Sequence, residues 1–342
     1  MSTISLESGT KTGIVGDAKQ MTLHKCGVCA PKKDVLFNHC PVMKTESIES
    51  LQIKPDGVYC DLTLGGGSHS MEIAKRLRGG KLIAVDRDLD AIEYSREKLK
   101  DYRDRIYFAN DNFANIESIA KGLGYEKIEG ALMDLGVSSY QIDSDRGFSY
   151  MKDSPLLMTM DKNQSLTAAT VVNTFGKEKL KEILYTCADE RYAGLIAGEI
   201  VKRRAEKPIE TTLELSDTIK NALRNVKYTN GHPAKKSFLA IRVFVNEELD
   251  VIKPTLDAVE RMLNKGGRLA VISFNGAEDR LVKKCFAYYE KDCICPPGFP
   301  VCVCEKKTTS RAVTKKPIYP GEKEKAENPR SESAKLRILE KL

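Results

Sequence analysis

The chain has 342 residues, 41% hydrophobic and 30% charged, which suits a soluble globular protein with room for one large domain or two ordinary ones. No apolar run approaches the roughly 20 residues of a bilayer-spanning helix, and residues 1–12 are polar without a signal-peptide apolar region, so a cytoplasmic protein without membrane contact is expected. The net charge of +7 suits a polyanionic partner but does not select one, because many proteins as basic as this bind no nucleic acid.

Residues 1–35 carry no clean periodicity and are expected to form an extension outside the core. Asp56-Gly57 punctuates the chain before a first strand over 58–61 (VYCD), which runs into Leu64-Gly65-Gly66-Gly67-Ser68-His69. Met71, Ile73, Ala74 and Leu77 then mark a helix that Gly79-Gly80 stops. A second strand over 81–86 (KLIAVD) leads to a helix carrying Ala91, Ile92, Tyr94 and Leu99. Further strands are predicted over 105–109 (RIYFA) and 130–135 (GALMDL). Alternating strands and helices imply an α/β doubly wound sheet with a parallel core.

The alternation breaks after Gly136. Residues 142–235 read as mostly polar helical segments, clearest at 177–185, 190–204 and 213–224, and predict an inserted helical subdomain between core segments 36–141 and 236–342. From Phe238 to Leu263 the apolar residues keep helical spacing, as one long helix or a broken pair, ended by Gly266-Gly267. Residues 268–274 (RLAVISF) predict another buried strand, 306–330 a charged loop, and 334–339 a last strand.

A glycine loop after the first strand lets backbone amides approach a ligand closely. An acid at the end of the second strand suits a ribose diol, since one carboxylate accepts two hydroxyl hydrogens. Asp61 and Asp86 stand 25 residues apart, one strand–helix–strand unit. That arrangement serves dinucleotides and S-adenosylmethionine alike, but Gly65-Gly66-Gly67-Ser68-His69 is not the G-x-G-x-x-G dinucleotide fingerprint. The fourth strand ends in Asp134-Leu135-Gly136, where a carboxylate faces the reacting end of a bound cofactor and can accept from an exocyclic amine.

Longer motifs narrow the reading. Residues 61–70 (DLTLGGGSHS), Val85-Asp86-Arg87-Asp88, 134–141 (DLGVSSYQ) and Arg146-Gly147-Phe148-Ser149-Tyr150 occur in that order, with His39-Cys40-Pro41-Val42 ahead of them. His232-Pro233-Ala234, Ala240-Ile241-Arg242, Glu278-Asp279-Arg280 and Asn328-Pro329-Arg330 follow. From about Phe37 to Leu342 the chain resembles the RsmH (MraW) family. The resemblance implies a class I S-adenosylmethionine-dependent methyltransferase (Rossmann-like) sheet with an inserted helical subdomain. It implies methyl transfer to the exocyclic N4 of a cytidine in small-subunit (16S) ribosomal RNA, with that RNA or the small ribosomal subunit as partner and a homodimer left open. It also implies cofactor contacts from Gly67, Ser68, His69, Asp86, Phe113, Asp134 and Gln141. On chemical grounds Asp134, an acceptor that can draw the amine out of the ring plane, is the expected catalytic residue, and no metal ligand is assigned. Lys202-Arg203-Arg204 and Lys207 in the insertion are expected to meet phosphates.

The chain departs from the family pattern at Leu62, Ser68, Leu157, Thr159, Gly194-Leu195, Lys236, Leu239, Asn275-Gly276-Ala277 and Glu332. The alternative reading is therefore a divergent paralogue with another substrate, or an RNA-binding protein that no longer catalyses. Ten cysteines in a reducing compartment read as thiols or metal ligands rather than disulfides. Cys293, Cys295, Cys302 and Cys304 flank Pro296-Pro297-Gly298 and can form a four-sulfur zinc site. C-x-C is less usual than C-x-x-C for zinc, however, so free thiols on a hairpin are the favoured reading. His24, Cys26, Cys29 and Cys40 form a second, weaker candidate group.

Overall fold

Four short apolar runs, each closing on Asp or Asn, become four parallel strands whose polar ends share one edge of a sheet. In the computed structural model, which describes residues 41–342 except 228–230, 297, 299 and 300, helix α1 (Lys44–Ser50) precedes β1 (Val58–Asp61), α2 (Ser68–Arg76), β2 (Lys81–Asp86), α3 (Leu89–Lys98), β3 (Ile106–Asn110), α4 (Ile116–Gly122) and β4 (Ile128–Asp134). The expected extension over 1–35, with His24, Cys26 and Cys29, lies outside the described residues, as do His39 and Cys40.

After β4 come α5 (Ser139–Asp143), α6 (Ala168–Thr174), α7 (Lys177–Ala188), α8 (Ala193–Glu206), α9 (Thr212–Ala222), α10 (Lys235–Val245) and α11 (Ile252–Met262). Then follow β5 (Leu263–Ser273), α12 (Gly276–Glu290), β6 (Ser310–Ala312), α13 (Glu322–Glu327) and β7 (Lys335–Lys341). The strands lie in the order β3-β2-β1-β4-β5-β7-β6. β1 to β5 pair in parallel, whereas β7 runs antiparallel to β5 and β6. This is the Rossmann-like class I methyltransferase arrangement. The chain order reverses between β1 and β4, and the crevice beyond the strand ends at such a switch point is where ligands bind in open α/β sheets.

The strands read as unbroken apolar runs because both sheet faces are covered. Ile83, Val85, Ala131 and Met133 pack with Ile116, Leu256, Val259 and Phe286 from α4, α11 and α12. Their neighbours Leu82, Ala84 and Leu132 face the other way, onto Ile48, Ile73, Leu77 and Ile92 from α1, α2 and α3. The helices of the insertion have a separate apolar cluster, built on Leu180, Ile183, Ile196, Ile200, Leu215 and Ile219. That cluster continues through Phe238, Ile241 and Val245, so α10 packs with the inserted helices.

The apolar stretch after Phe238 is a broken pair. α10 stops at Val245, and Glu247 takes a left-handed φ of 53° before α11 starts. Asn246, fully buried, uses the break to join three segments. Its amide nitrogen donates to the carbonyls of Met158 (2.7 Å) and Arg242 (2.9 Å). Its Oδ1 accepts from the Met160 N–H (2.8 Å), and its own carbonyl accepts from Arg87 (2.6 Å). Gly266-Gly267 does not end the helix, which stops at Met262. The two glycines lie inside β5, where the register against β4 shifts between Ile128 and Gly130. A Cβ on Gly267 would stand 2.8 Å from the Asn264 carbonyl and 2.9 Å from that of Glu129, so only glycine passes there. A short helix, α13, interrupts the loop expected over 306–330. Among the described residues no helix is long and apolar enough to cross a membrane.

Asn246→Leu keeps the side-chain volume and strands the Met158 carbonyl and Met160 N–H in the interior. Each buried unsatisfied group costs about 1–3 kcal/mol, so urea denaturation is expected to show a loss of about 2–5 kcal/mol at unchanged m-value. A loss below about 0.5 kcal/mol contradicts this role.

Candidate active site

The glycine loop is fixed before any ligand arrives. Gly65 and Gly67 take left-handed φ values of 48° and 69°, which side chains resist. The Gly65 N–H donates to Asp86 Oδ2 at 2.7 Å, and its carbonyl accepts from Ser95 Oγ at 2.9 Å. Lys98, at the end of α3, donates to the Gly66 carbonyl at 2.6 Å and to Ser68 Oγ at 2.9 Å. Ser68, one of the departures from the family pattern, thus helps to clamp the loop onto α3.

Asp86 accepts a second backbone hydrogen bond, from the Asp88 N–H at 2.9 Å. Burial pushes its carboxyl up to about 6, with both hydrogen bonds opposing. Asp61 is treated alike: burial raises it to about 6 against hydrogen bonds from Ser70 Oγ (2.6 Å) and the Thr63 N–H (3.2 Å). Asp61 therefore orders the turn after β1, while the Asp86 oxygens keep lone pairs toward the cleft.

Asp134 differs from both. Its N–H donates to Thr63 Oγ1 at 2.7 Å, but its Oδ1 is buried and has no hydrogen-bond partner. Its Oδ2 lies 3.8 Å from His69 Nδ1. His69 Nε2 faces the Val42 carbonyl at 3.2 Å, and since a carbonyl only accepts, Nε2 carries the hydrogen. Burial first, then the charges of Asp61 and Glu278, hold the Asp134 carboxyl well above the usual range. Glu278 is itself pushed up to about 7, mainly by burial, although it accepts from the Phe274 N–H at 2.8 Å. A buried oxygen without a partner is destabilising, so Oδ1 is a candidate acceptor for a hydrogen bond.

These groups open onto a cleft of about 590 Å³, within the range of small-molecule sites. Ser68, His69, Asp86, Phe113, Asp134 and Gln141 all line it. Gly67 does not: the position of its Cβ faces Ser95 and Leu99 of α3, so it shapes the loop from behind. Gln141 is buried, and its amide is spent on scaffold contacts. Its Oε1 accepts from the Ser138 N–H (3.1 Å) in a capping box of α5, and its Nε2 donates to Asp88 (3.0 Å). The opposite wall comes from the helical layer, with Tyr150, Lys235, Phe238 and Arg242, and a third side from Pro329 and Arg330. Tyr150 stacks on His232 with centroids 4.5 Å apart, and Arg242 makes a two-pronged pair with Glu248 at 2.9 Å on each arm. The motifs that hold Tyr150, Arg242 and Arg330 stand out in the sequence, but their convergence on one cleft does not.

The basic run in the insertion lies away from the cleft. Arg204 donates to the Val172 carbonyl at 2.7 Å, Arg203 to the Lys207 carbonyl at 3.1 Å, and Lys207 pairs with Glu214 at 2.9 Å. None of Lys202, Arg203, Arg204 and Lys207 lines the cleft, whereas exposed Lys235 does.

Residues 36–342 match the model of the MraW methylase family. The chain belongs to the MraW methylase family. It is 50% identical over 308 residues to the ribosomal RNA small subunit methyltransferase H of Clostridium botulinum (strain Kyoto / Type A2), covering 90% of this chain and 99% of that one. It is 47% identical over 309 residues to the protein so named in Lachnospira eligens, covering 90% and 98%. A solved rRNA methylase structure from Streptococcus thermophilus is matched over 87% of this chain and 95% of that chain, at 13% identity and a TM-score of 0.38; the assignment rests on the family match. The chain is an S-adenosylmethionine-dependent methyltransferase. The cleft suits a cofactor of that size: its lining includes the glycine loop backed by α3, Asp86 and Phe113.

Asp86→Asn replaces one accepting oxygen by a donor that opposes the N–H groups of Gly65 and Asp88. A hydrogen bond to a charged group is worth about 1.5–3 kcal/mol, so the Kd for S-adenosylmethionine by titration calorimetry is expected to rise about ten- to a hundredfold. An unchanged Kd removes Asp86 from the site.

Proposed function

We propose that the protein methylates the exocyclic N4 of a cytidine in small-subunit (16S) ribosomal RNA, with Asp134 as the catalytic residue. The observation that carries this reading is the buried, unpartnered Oδ1 of Asp134 at the end of β4, inside a cleft whose other wall is aromatic and basic. The printed name of the relatives, ribosomal RNA small subunit methyltransferase H, supports the substrate class.

S-adenosylmethionine supplies a methyl group on a cationic sulfur. The cytosine amine is a weak nucleophile because its lone pair is delocalised into the ring. Accepting one amine hydrogen, Asp134 turns the group out of the ring plane and localises that lone pair. As the N–C bond forms the methyl–sulfur bond would break, its electron pair staying on a neutral thioether sulfur; N4 becomes cationic and then releases one proton, and Asp134 is the carboxylate placed to receive it. Most of the rate then comes from holding the amine in line with the methyl group. A base inside folded RNA must first leave its stack, and Tyr150 and Phe238 offer aromatic surface on the far wall. Lys235 and Arg330, at the cleft, are better placed for phosphates than the basic run of α8.

Only the carboxylate form of Asp134 can take up the amine proton, and its pKa is raised. Turnover is thus expected to fall as pH drops through that raised value, with an acid limb above the ordinary carboxylate range. Asp134→Asn is expected to lower kcat on small-subunit particles by about a hundredfold or more and to abolish that acid limb. The Kd for S-adenosylmethionine should stay within about threefold, under 1 kcal/mol. Full turnover in this variant contradicts the role of Asp134. Cofactor binding by the unmodified protein without methyl incorporation returns it to the non-catalytic RNA-binding alternative.

A further inference from the structure

Four cysteines outside the cleft converge on one point. Cys293 and Cys295 follow α12, and Cys302 and Cys304 lie on the limb that returns toward β6. Their sulfurs are separated by 3.5 Å (Cys293–Cys302), 3.5 Å (Cys302–Cys304), 3.8 Å (Cys293–Cys304) and 4.0 Å (Cys295–Cys302). All four lie within 4.8 Å of one another. Thiolates at about 2.3 Å from a tetrahedral zinc ion are about 3.8 Å apart along each edge. The observed spacings straddle that value.

We propose that Cys293, Cys295, Cys302 and Cys304 form a structural zinc site in which all four thiolates bind one ion. The expectation of free thiols on a hairpin does not account for the packing. Ile294, Val301 and Val303 are 47%, 70% and 69% exposed, so among the described residues apolar contact does not hold the two limbs together. Thiols are weak donors and acceptors, and four of them gain little by gathering at the surface. A segment without a core needs another source of cohesion, and metal binding supplies it. Backbone groups already turn toward the sulfurs as they do around bound thiolates: the Ile294 N–H points at Cys304 Sγ (3.3 Å) and the Cys295 N–H at Cys293 Sγ (3.4 Å).

The donor set selects the ion. Four sulfurs in a tetrahedron suit zinc or a single iron, whereas calcium and magnesium require oxygen. A multi-iron cluster spreads its thiolates further apart. With four protein ligands the site has no open position, which is the structural rather than the catalytic form. Below the cysteines the Thr309 N–H donates to the Tyr289 carbonyl (3.1 Å) and Thr308 Oγ1 to the Glu290 carbonyl (3.0 Å). The ion thus closes a loop already tied at its base and fixes the entry to the edge strand β6.

The full chain, purified under reducing conditions without added chelator, is expected to carry about one zinc per molecule by plasma mass spectrometry. The double variant Cys302→Ser/Cys304→Ser should retain less than about a tenth of that, while Cys26→Ser/Cys29→Ser keeps it. Refilling the chelator-stripped protein with cobalt should give the visible bands and sulfur charge-transfer absorption of tetrahedral thiolate coordination, absent from the Cys302/Cys304 variant. If that variant does not fold, a mercurial titration of the unmodified protein, followed with a zinc dye, should release one zinc as four thiols react. Metal-free protein, zinc retained in the Cys302/Cys304 variant, an iron–sulfur spectrum, or disulfides among these four residues overturns the proposal.

Discussion

The carboxylate of Asp88 is the point on which the two halves of the cleft are hung. It is 1% exposed, and three chain segments meet there. Its Oδ1 accepts from the Asp90 N–H at 3.1 Å, capping α3, and its Oδ2 accepts from Gln141 Nε2 at 3.0 Å and Arg146 Nη2 at 2.7 Å. Arg146 also donates to the Met160 carbonyl at 3.0 Å and reaches Asp90 Oδ2 at 3.3 Å. The sheet and the helical layer have separate apolar cores, so nonspecific burial alone would leave their orientation loose. A buried ion pair adds little net stability over an apolar substitute, but losing one partner costs about 3–5 kcal/mol. Together with the Arg87–Asn246 contact, this pair ties the two layers beside the cleft that Tyr150, Arg242, Asp86 and Asp134 line.

Several departures from the family pattern have defined partners in the fold, although Leu62, Ser68, Leu239, Asn275 and Glu332 also line the cleft. Ser68 is absorbed by Lys98. Lys236 donates to the Asp189 carbonyl at 3.0 Å. Asn275 caps α12 by accepting from the N–H groups of Ala277 and Glu278, at 3.0 Å each. Leu62 is fully buried in the sheet core. These positions serve loops, caps and packing. The carboxylates of Asp86 and Asp134 are retained, in agreement with 50% identity to a relative matched over 99% of its length.

The parallel core was legible because its strands are short apolar runs that end in Asp61, Asp86, Asn110 and Asp134, punctuated by glycines. The broken pair after Phe238 was only half legible, since periodicity continues across the break and Asn246 reveals its role only through partners 86 and 88 residues away. α12 was missed although both of its signals are present, a capping box at Asn275 and Glu278 and a buried stripe of Val282, Cys285, Phe286 and Tyr289 at helical spacing. Lys98 reads as an ordinary solvent lysine; its contact with a loop 30 residues earlier is invisible locally. Gln141 was legible as a site residue but not as a capping and bridging residue. The four C-terminal cysteines were legible as a group, and only the fold brings their sulfurs to one point.

Nucleoside mass spectrometry of small-subunit RNA, from cells with and without the gene for this chain, tests most directly whether the Asp134 cleft acts on a cytidine amine of that RNA. One N4-methylated cytidine is expected to disappear with the gene and to return when the gene is restored. Methylated cytidines identical in the two strains would contradict that activity.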